Sequence, residues 1–512
     1  MDIFTTSIAD GAPVRSLEVV GMTDVPSPTD LTWVVVVAGI CMAFMAWGIG
    51  ANDVANSFAT AFGARCLTAK QACCIAAVCE LAGCLLLGGN VSDTIRKGMM
   101  SVDLYKGDEG RVLVMAGMTS VLLAAACWLL VASKYGLPVS TTHSAVGGVI
   151  AFAVASKGYG SVNWAKVGFI VASWFISPTM AGIVSFCCYG LIKKVVLQAD
   201  DSWRRAQVAS PFIVFIMTMT VAMFTVYKGG KGVGLNKTSP WLAIGVSVGV
   251  SFLIAGVSYP LMSRHAKALT TRELKELDAE NQTAEVPSAP EVAEEQSGAV
   301  TSEQVKVDVH SASGVAEGQS EEMNSEQVKV DTQSASAKQY DPRTEHMFRA
   351  LVVVIAAFQS LAHGANDVAN SVGPFGAVLA AKAGPLGEKT DIASWIFAVA
   401  GACIVVGLVM WGLRVMQTVG RDLTEVTPSK ACCAQFSATL VVLLATKLGI
   451  PISTTHAAVG GVLGVGLADG VHAIDWKVMG KVFLSWMVTV PICALTAGGT
   501  YALFLPFVLS LG

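Results

Sequence analysis

The sequence predicts an all-α polytopic membrane protein of about twelve membrane segments, built as two inverted repeats with re-entrant hairpins or broken helices. Three observations predict it. Hydrophobic residues fill 53% of the 512 positions and charged residues only 14%, a balance that belongs to a multi-spanning chain. The phrase Gly50-Ala51-Asn52-Asp53-Val54-Ala55-Asn56-Ser57 returns as Gly364-Ala365-Asn366-Asp367-Val368-Ala369-Asn370-Ser371. A second phrase, Pro138-Val139-Ser140-Thr141-Thr142-His143, returns as Pro451-Ile452-Ser453-Thr454-Thr455-His456, in the same order and at nearly the same offset. A shorter echo, Asn163-Trp164 against Asp475-Trp476, keeps that offset too.

The elements follow in order. Residues 1–30 form a polar tail carrying Asp2, Asp10, Glu18, Asp24 and Asp30. The tail lacks the basic start and apolar core of a signal peptide, so the first span is expected to do the targeting. Membrane repeat 1, residues 31–192, holds apolar stretches at 31–50, 66–90, 112–133, 138–157 and 166–192. Residues 193–262 add a helix pair, at 208–226 and 241–262, that has no counterpart. Residues 263–347 are rich in Glu, Ser, Ala, Gln and Val and poor in aromatics, so they read as a disordered cytoplasmic linker. Within it, Ser302 to Asp308 recurs as Ser325 to Asp331, which reads as tandem copying in a tolerant segment. Membrane repeat 2, residues 348–512, holds stretches at 348–365, 392–416, 432–447, 450–469 and 481–510.

An odd number of segments separates the two repeat starts, so the second copy enters the membrane from the opposite side. Basic residues flank the long loop: Lys193, Lys194, Arg204, Arg205, Arg264, Lys267, Arg272 and Lys275 before it, Arg343 and Arg349 after it. The positive-inside rule then puts that loop in the cytoplasm and both termini outside. The sequons at Asn90 and Asn236 fall outside in this topology and the one at Asn281 inside, so sequons do not decide it.

Composition also excludes. The net charge of −3 leaves no nucleic-acid footprint, and the 13 cysteines lie scattered in apolar stretches, neither a disulfide framework nor a metal pattern. No catalytic set and no cofactor is expected, and the chain does not read as an enzyme.

The doubled phrases carry the chemistry. On a helix, Asn52 and Asn56 share one face with Asp53 beside them, and Asn366, Asp367 and Asn370 repeat the arrangement. Glycines at 48 and 50 allow the backbone to break there and free its carbonyls. Carboxamides, a carboxylate and carbonyls make a hard-oxygen shell suited to a small hard cation such as sodium. One copy alone would read as interhelical polar glue; two copies at matching positions, each with an intramembrane Asp, read as function.

In the second phrase, Pro ends one segment, and Ser140, Thr141 and Thr142, or Ser453, Thr454 and Thr455, open the next helix. A helix start offers unpaired N–H groups and a positive dipole end, and the hydroxyls add donors. Two such starts facing each other could hold one tetrahedral oxyanion. Ordinary N-capping is the bland alternative for either copy alone. On this reading the cation and anion ligands lie in separate motifs. His143 and His456 either orient the turn or act as ligand or proton carrier. Glu80, in mid-segment, is expected near the ion path or paired with a basic side chain. Internal duplication with polar residues in lipid marks a secondary transporter.

At this point the two phrases together resemble the inorganic phosphate transporter (PiT) family, the sodium- or proton-coupled phosphate symporters. The resemblance covers both hydrophobic halves and excludes the tail and the linker. It implies a symporter of inorganic phosphate coupled to a cation, most often sodium, in a plasma membrane, with extracellular termini and a large cytoplasmic loop. Carried onto this chain, Asn52, Asp53, Asn56, Asn366, Asp367 and Asn370 would bind sodium. Ser140, Thr141, Thr142, Ser453, Thr454 and Thr455 would bind phosphate with help from Asp53 and Asp367. Glu80 matches a family glutamate. From the residues themselves, Glu80, His143 and His456 read as coupling or orienting groups. Gln435 stands where many eukaryotic members carry a glutamate. A homodimer is left open. The alternatives are a proton-coupled phosphate or sulfate transporter of the same fold, and a membrane phosphate sensor or receptor.

Overall fold

The computed structural model describes residues 25–89, 100–227, 238–284, 342–386, 392–450 and 452–511. Among them the chain is helical throughout, apart from one isolated antiparallel bridge between Met100 and Val162. Thirteen helices concern us. They are α1 (Thr32–Ile49), α2 (Ala55–Gly63), α3 (Ala69–Leu87), α4 (Gly107–Lys134), α5 (Thr141–Lys157), α6 (Trp164–Ile192), α7 (Ser202–Val226) and α8 (Pro240–Ala284). After the long gap come α9 (Pro342–Ala383), α10 (Ser394–Gln417), α11 (Pro428–Lys447), α12 (Thr454–Leu467) and α13 (Trp476–Leu511).

Each of the expected apolar stretches is helical, but not all are long enough to cross. Ten helical segments among the described residues have the length and hydropathy of a span, with α1 and α2 counted as one. The others are α5, with 17 residues, and α12, with 14. At 1.5 Å per residue these rise about 26 and 21 Å, less than the roughly 30 Å of a hydrocarbon core. Both follow the helices most enclosed by protein: 83% of the apolar window of α4 is buried and 78% of that of α11, against 28% for α6.

The turns into the short helices are built alike. Gly136 (φ 65°) follows α4 and Gly449 (φ 68°) follows α11, each in the left-handed region. Leu137 N–H donates to the Ala132 carbonyl and Gly136 N–H to that of Ser133; Ile450 N–H donates to Ala445 and Gly449 N–H to Thr446. This is the Schellman arrangement, whose left-handed residue is nearly always Gly. The Ser140 hydroxyl then accepts from His143 N–H, and the Ser453 hydroxyl from His456 N–H, as N-caps. The shorter echo is a cap too: Asn163 accepts from Lys166 N–H and Asp475 from Val478 N–H.

The halves interlock. The short helix α12 packs chiefly on α6 and the short helix α5 on α13, so each is held by the last long helix of the other half. Helices α3 and α9 cross closely where Gly364 faces the Glu80 backbone, leaving no room for a Cβ. Helices α7 and α8 pack on each other and on α9. Phe175, Ile176, Phe212, Leu253 and Leu503 present an exposed apolar surface of the kind lipid covers.

Two expectations change. The segment read as a linker from 263 is helical to Ala284, and the chain is helical again from Pro342, because α8 and α9 continue past their apolar stretches. Residues 285–341, the sequons at Asn90 and Asn236, and the tail before residue 25 lie outside the described residues. The expected break at the first doubled phrase occurs in one copy only. Gly50–Val54 form a π-helical turn, whereas α9 runs unbroken through Gly364–Ser371.

Candidate functional site

Both copies of the two doubled phrases meet in the interior. Every side chain singled out in them is buried, none of the Asn, Asp, Ser, Thr or His residues exceeding 5% exposure. The π turn and α2 carry Asn52, Asp53 and Asn56; α9 carries Asn366, Asp367 and Asn370; the starts of α5 and α12 supply the hydroxyls.

Asp53 sits on the start of α5. Its Oδ2 accepts from the Thr141 hydroxyl (2.7 Å) and Thr141 N–H (3.3 Å). Its Oδ1 accepts from Asn56 Nδ2 (3.3 Å), from the Thr454 hydroxyl (3.3 Å) and from the Thr455 hydroxyl. Asp367 mirrors it: Oδ2 accepts from the Thr454 hydroxyl (2.6 Å), and Oδ1 from Asn366 and Asn370 Nδ2 (3.0 Å each). The halves cross-link further. Asn56 Nδ2 donates to Thr455 Oγ1 and Asn370 Nδ2 to Thr141 Oγ1, both at 3.0 Å. The Thr142 hydroxyl donates to the Ile452 carbonyl and that of Thr455 to the Val139 carbonyl.

The residues expected to bind a cation and those expected to bind an anion are therefore not in separate places, although they are separate in sequence. The carboxylates occupy the hydroxyls and the N–H group that an anion would use. The reason is chemical: a helix start attracts any oxyanion, and Asp53 brings one.

The asparagines divide into two kinds. Asn52 is committed to the turn before α5, donating to the Leu137 carbonyl (2.9 Å) and Ser133 Oγ (3.2 Å) while accepting from Val139 N–H (2.9 Å). Asn366 likewise donates to the Ile452 carbonyl (3.2 Å). Among the described residues the oxygens Asn56 Oδ1 and Asn370 Oδ1 have no hydrogen-bond partner, nor does Gln435 Oε1, although all three are buried. An orphaned buried acceptor is costly unless something outside the protein satisfies it. Gln435 itself donates from Nε2 to the Ser57 carbonyl (3.1 Å).

Of the two expectations for Glu80, pairing holds. Its carboxylate accepts from the Ser360 hydroxyl (2.9 Å) and pairs with His363 Nδ1 (3.0 Å). His363 Nε2 lies 2.9 Å from Asp367 Oδ2, so the imidazole bridges the two carboxylates. Ligand atoms of Asp53, His363 and Asp367 all fall within 4.8 Å of one another, the spacing of a cation site. Sequence reasoning missed His363 because the repeat has no equivalent: Ile49 stands at the matching position. The available signal was its place four residues before Asp367, on the same helical face.

Among the described residues, neither His143 nor His456 makes a hydrogen bond to the carboxylates. They lie behind the helix starts, edge to face with ring centroids 4.4 Å apart, and His456 Nδ1 meets the Trp174 carbonyl at 3.0 Å.

The model of the phosphate transporter family matches residues 49–497. A protein of Pyrococcus horikoshii, by its name a phosphate permease, is 36% identical over 89% of this chain and 93% of its own. The chloroplastic inorganic phosphate transporter 2-1 of Arabidopsis thaliana is 35% identical over 89% of this chain and 69% of its own. The sodium-dependent phosphate transporter 1-A of Danio rerio is 27% identical over 99% and 100%. A solved structure described as the sodium-dependent phosphate transporter superposes with a TM-score of 0.71 at 30% identity, covering 92% of this chain and 98% of that one.

Proposed function

The chain belongs to the phosphate transporter family, a family of multi-pass membrane transporters and not of enzymes, and on that footing we propose that it carries inorganic phosphate across a membrane together with sodium. One observation supports this above the others: an Asp from each half rests on the Ser-Thr-Thr helix starts, so cation ligands and anion donors share their hydrogen bonds.

Coupling follows from that sharing. The Asp53 and Asp367 carboxylates hold the Thr141, Thr454 and Thr455 hydroxyls. A phosphate anion would compete with them for the same donors and meet two like charges in a medium that screens poorly. Sodium at Asp53 and Asp367, completed by the free Asn56 and Asn370 oxygens, gives the carboxylates another partner. The hydroxyls and N–H groups are then released to phosphate, whose charge the sodium offsets. Sodium therefore binds first and phosphate second. On this reading Asn52 and Asn366 shape the site, the Glu80–His363 pair orients Asp367, and Ser140 and Ser453 cap the helix starts. The halves are inverted repeats at 31–192 and 348–512, the pair at 193–262 is an addition, and the 263–347 side faces the cytoplasm of a plasma membrane.

The test is uptake of radiolabelled phosphate by purified protein in liposomes, with sodium and pH varied independently and sulfate as competitor. Sodium-driven uptake that sulfate does not suppress is expected. Uptake driven by a proton gradient without sodium would replace the coupling ion, and no phosphate uptake under any gradient would overturn the reading.

A further inference from the structure

Behind the two helix starts runs a continuous file of four rings. Trp174 of α6 lies against His143 with centroids 3.7 Å apart, His143 meets His456 at 4.4 Å, and His456 lies against Trp486 of α13 at 3.8 Å. His143, His456 and Trp486 are 1%, 2% and 6% exposed. Each histidine directly follows the two threonines of its helix start, so the rings fix where those threonines stand.

The file is tied across the halves. Trp486, from the second half, donates its indole N–H to the Pro138 carbonyl (3.1 Å), in the turn that leads into α5. Trp174, from the first half, offers its backbone carbonyl to His456 Nδ1 (3.0 Å), at the start of α12. Ser485 Oγ, beside Trp486, also approaches the Pro138 carbonyl at 3.4 Å, although its shorter bond is to Val482. Among the described residues, neither indole N–H bonds to the carboxylates or the threonine hydroxyls.

We propose that Trp174 and Trp486 are positioning residues that set the distance between the two Ser-Thr-Thr helix starts to the width of one phosphate anion. This rests on the phosphate reading above. The stabilisation that a helix start gives an anion falls off within its first turn. Two starts share one anion only if neither slides, and hydrogen bonds weaken steeply outside a narrow range of distance and angle. Close-packed rings resist such sliding, because protein interiors pack like organic crystals. Losing the indole removes the spacer and the Pro138 bond together. The carboxylates and free asparagine oxygens that take sodium are carried by the π turn, α2 and α9, outside the file. Phosphate affinity therefore falls when Trp486 is lost, whereas sodium affinity does not fall with it.

The experiment measures sodium binding without phosphate, and inorganic phosphate uptake at saturating sodium, for full-length wild type, Trp486→Leu and Trp486→Phe. Trp486→Leu is expected to raise the half-saturating phosphate concentration at least tenfold, leaving maximal uptake within about twofold and sodium affinity no weaker than in wild type. Trp486→Phe, which keeps a ring on His456, should recover most of the loss. Should Trp486→Leu not reach the membrane, His456→Asn against Trp486→Phe carries the test, with the rise expected only in the former. Unchanged phosphate affinity in Trp486→Leu and His456→Asn, or parallel loss of sodium and phosphate affinity, would overturn the proposal. Wild-type protein that takes up no phosphate would instead overturn the reading beneath it.

Discussion

Asp53 accepts a hydrogen bond from the hydroxyl of Thr455, 402 positions further along the chain. The acceptor lies in the π turn after α1 and the donor in the first turn of the short helix α12. Through this one contact a residue expected to bind a cation and a residue expected to bind an anion become competitors and partners.

The first prediction concerns that acceptor and its mirror. Asp53→Asn and Asp367→Asn keep the shape of the side chain but remove the charge that sodium would offset. Each should abolish sodium-driven phosphate uptake at matched surface expression. Uptake at the wild-type rate in either variant would show that its charge is not part of the coupling.

The donors make a second prediction, with two signs. Replacing Thr454 and Thr455 together by Val deletes hydroxyls worth about 1.5–3 kcal/mol each when they bond to a charged group. Half-saturating phosphate should rise on the order of a hundredfold. Sodium binding without phosphate should tighten, because these hydroxyls compete with sodium for the carboxylates. Isotope binding of both ions checks this, and weakened sodium binding would contradict the ordered scheme.

A third prediction tests the turns. Gly136 and Gly449 adopt φ of 65° and 68°, where a Cβ costs roughly 1–2 kcal/mol. Gly136→Ala and Gly449→Ala should each lower the melting temperature and weaken phosphate uptake, while Ala substitution at the exposed Gly168, where a Cβ meets nothing, should do neither. Equal melting temperatures across the three variants would mean that the turns tolerate the change.

A fourth concerns pH. In the turn after α12, Asp469 pairs with Lys193 and Lys430, both at 2.6 Å, joining the ends of α6, α11 and α12. Burial pushes its carboxyl upward, but hydrogen bonds from the two lysines, together with their charge, outweigh this and hold it below its ordinary value. A depressed folded-state value means stability that is fully present above the unfolded value and lost as pH falls through the folded one. Asp469→Asn should therefore melt below wild type at pH 7, and the gap should close as the medium is acidified below the ordinary carboxylate range. A gap that persists there would assign the loss to packing rather than to charge.

Much is legible in the sequence. The membrane class, the helical stretches and the two doubled phrases are local facts, because apolar runs and repeated residues lie within single segments. The Ser-Thr-Thr helix starts were readable too, since Pro, Ser and Thr in that order dictate a turn and a cap wherever they occur. Glu80 was visible as an anomaly, a carboxylate in lipid, which demands a partner without naming it.

Tertiary structure decided what those pieces do to one another. His363 has no counterpart in the repeat, so only the crossing of α3 and α9 at Gly364 brings it to Glu80. The split between Asn52, spent on the turn before α5, and Asn56, with a free oxygen, cannot be read from a motif that spells both the same way. Whether a 17-residue or 14-residue helix crosses the membrane or starts inside it depends on what surrounds its first turn. Above all, the sequence by itself determined which groups this protein owns, whereas the packing of α5 on α13 and of α12 on α6 decided that carboxylates and hydroxyls from opposite halves would meet. Side-chain chemistry is local, but hydrogen bonding requires approach within about 3 Å, and only the folded chain sets that distance.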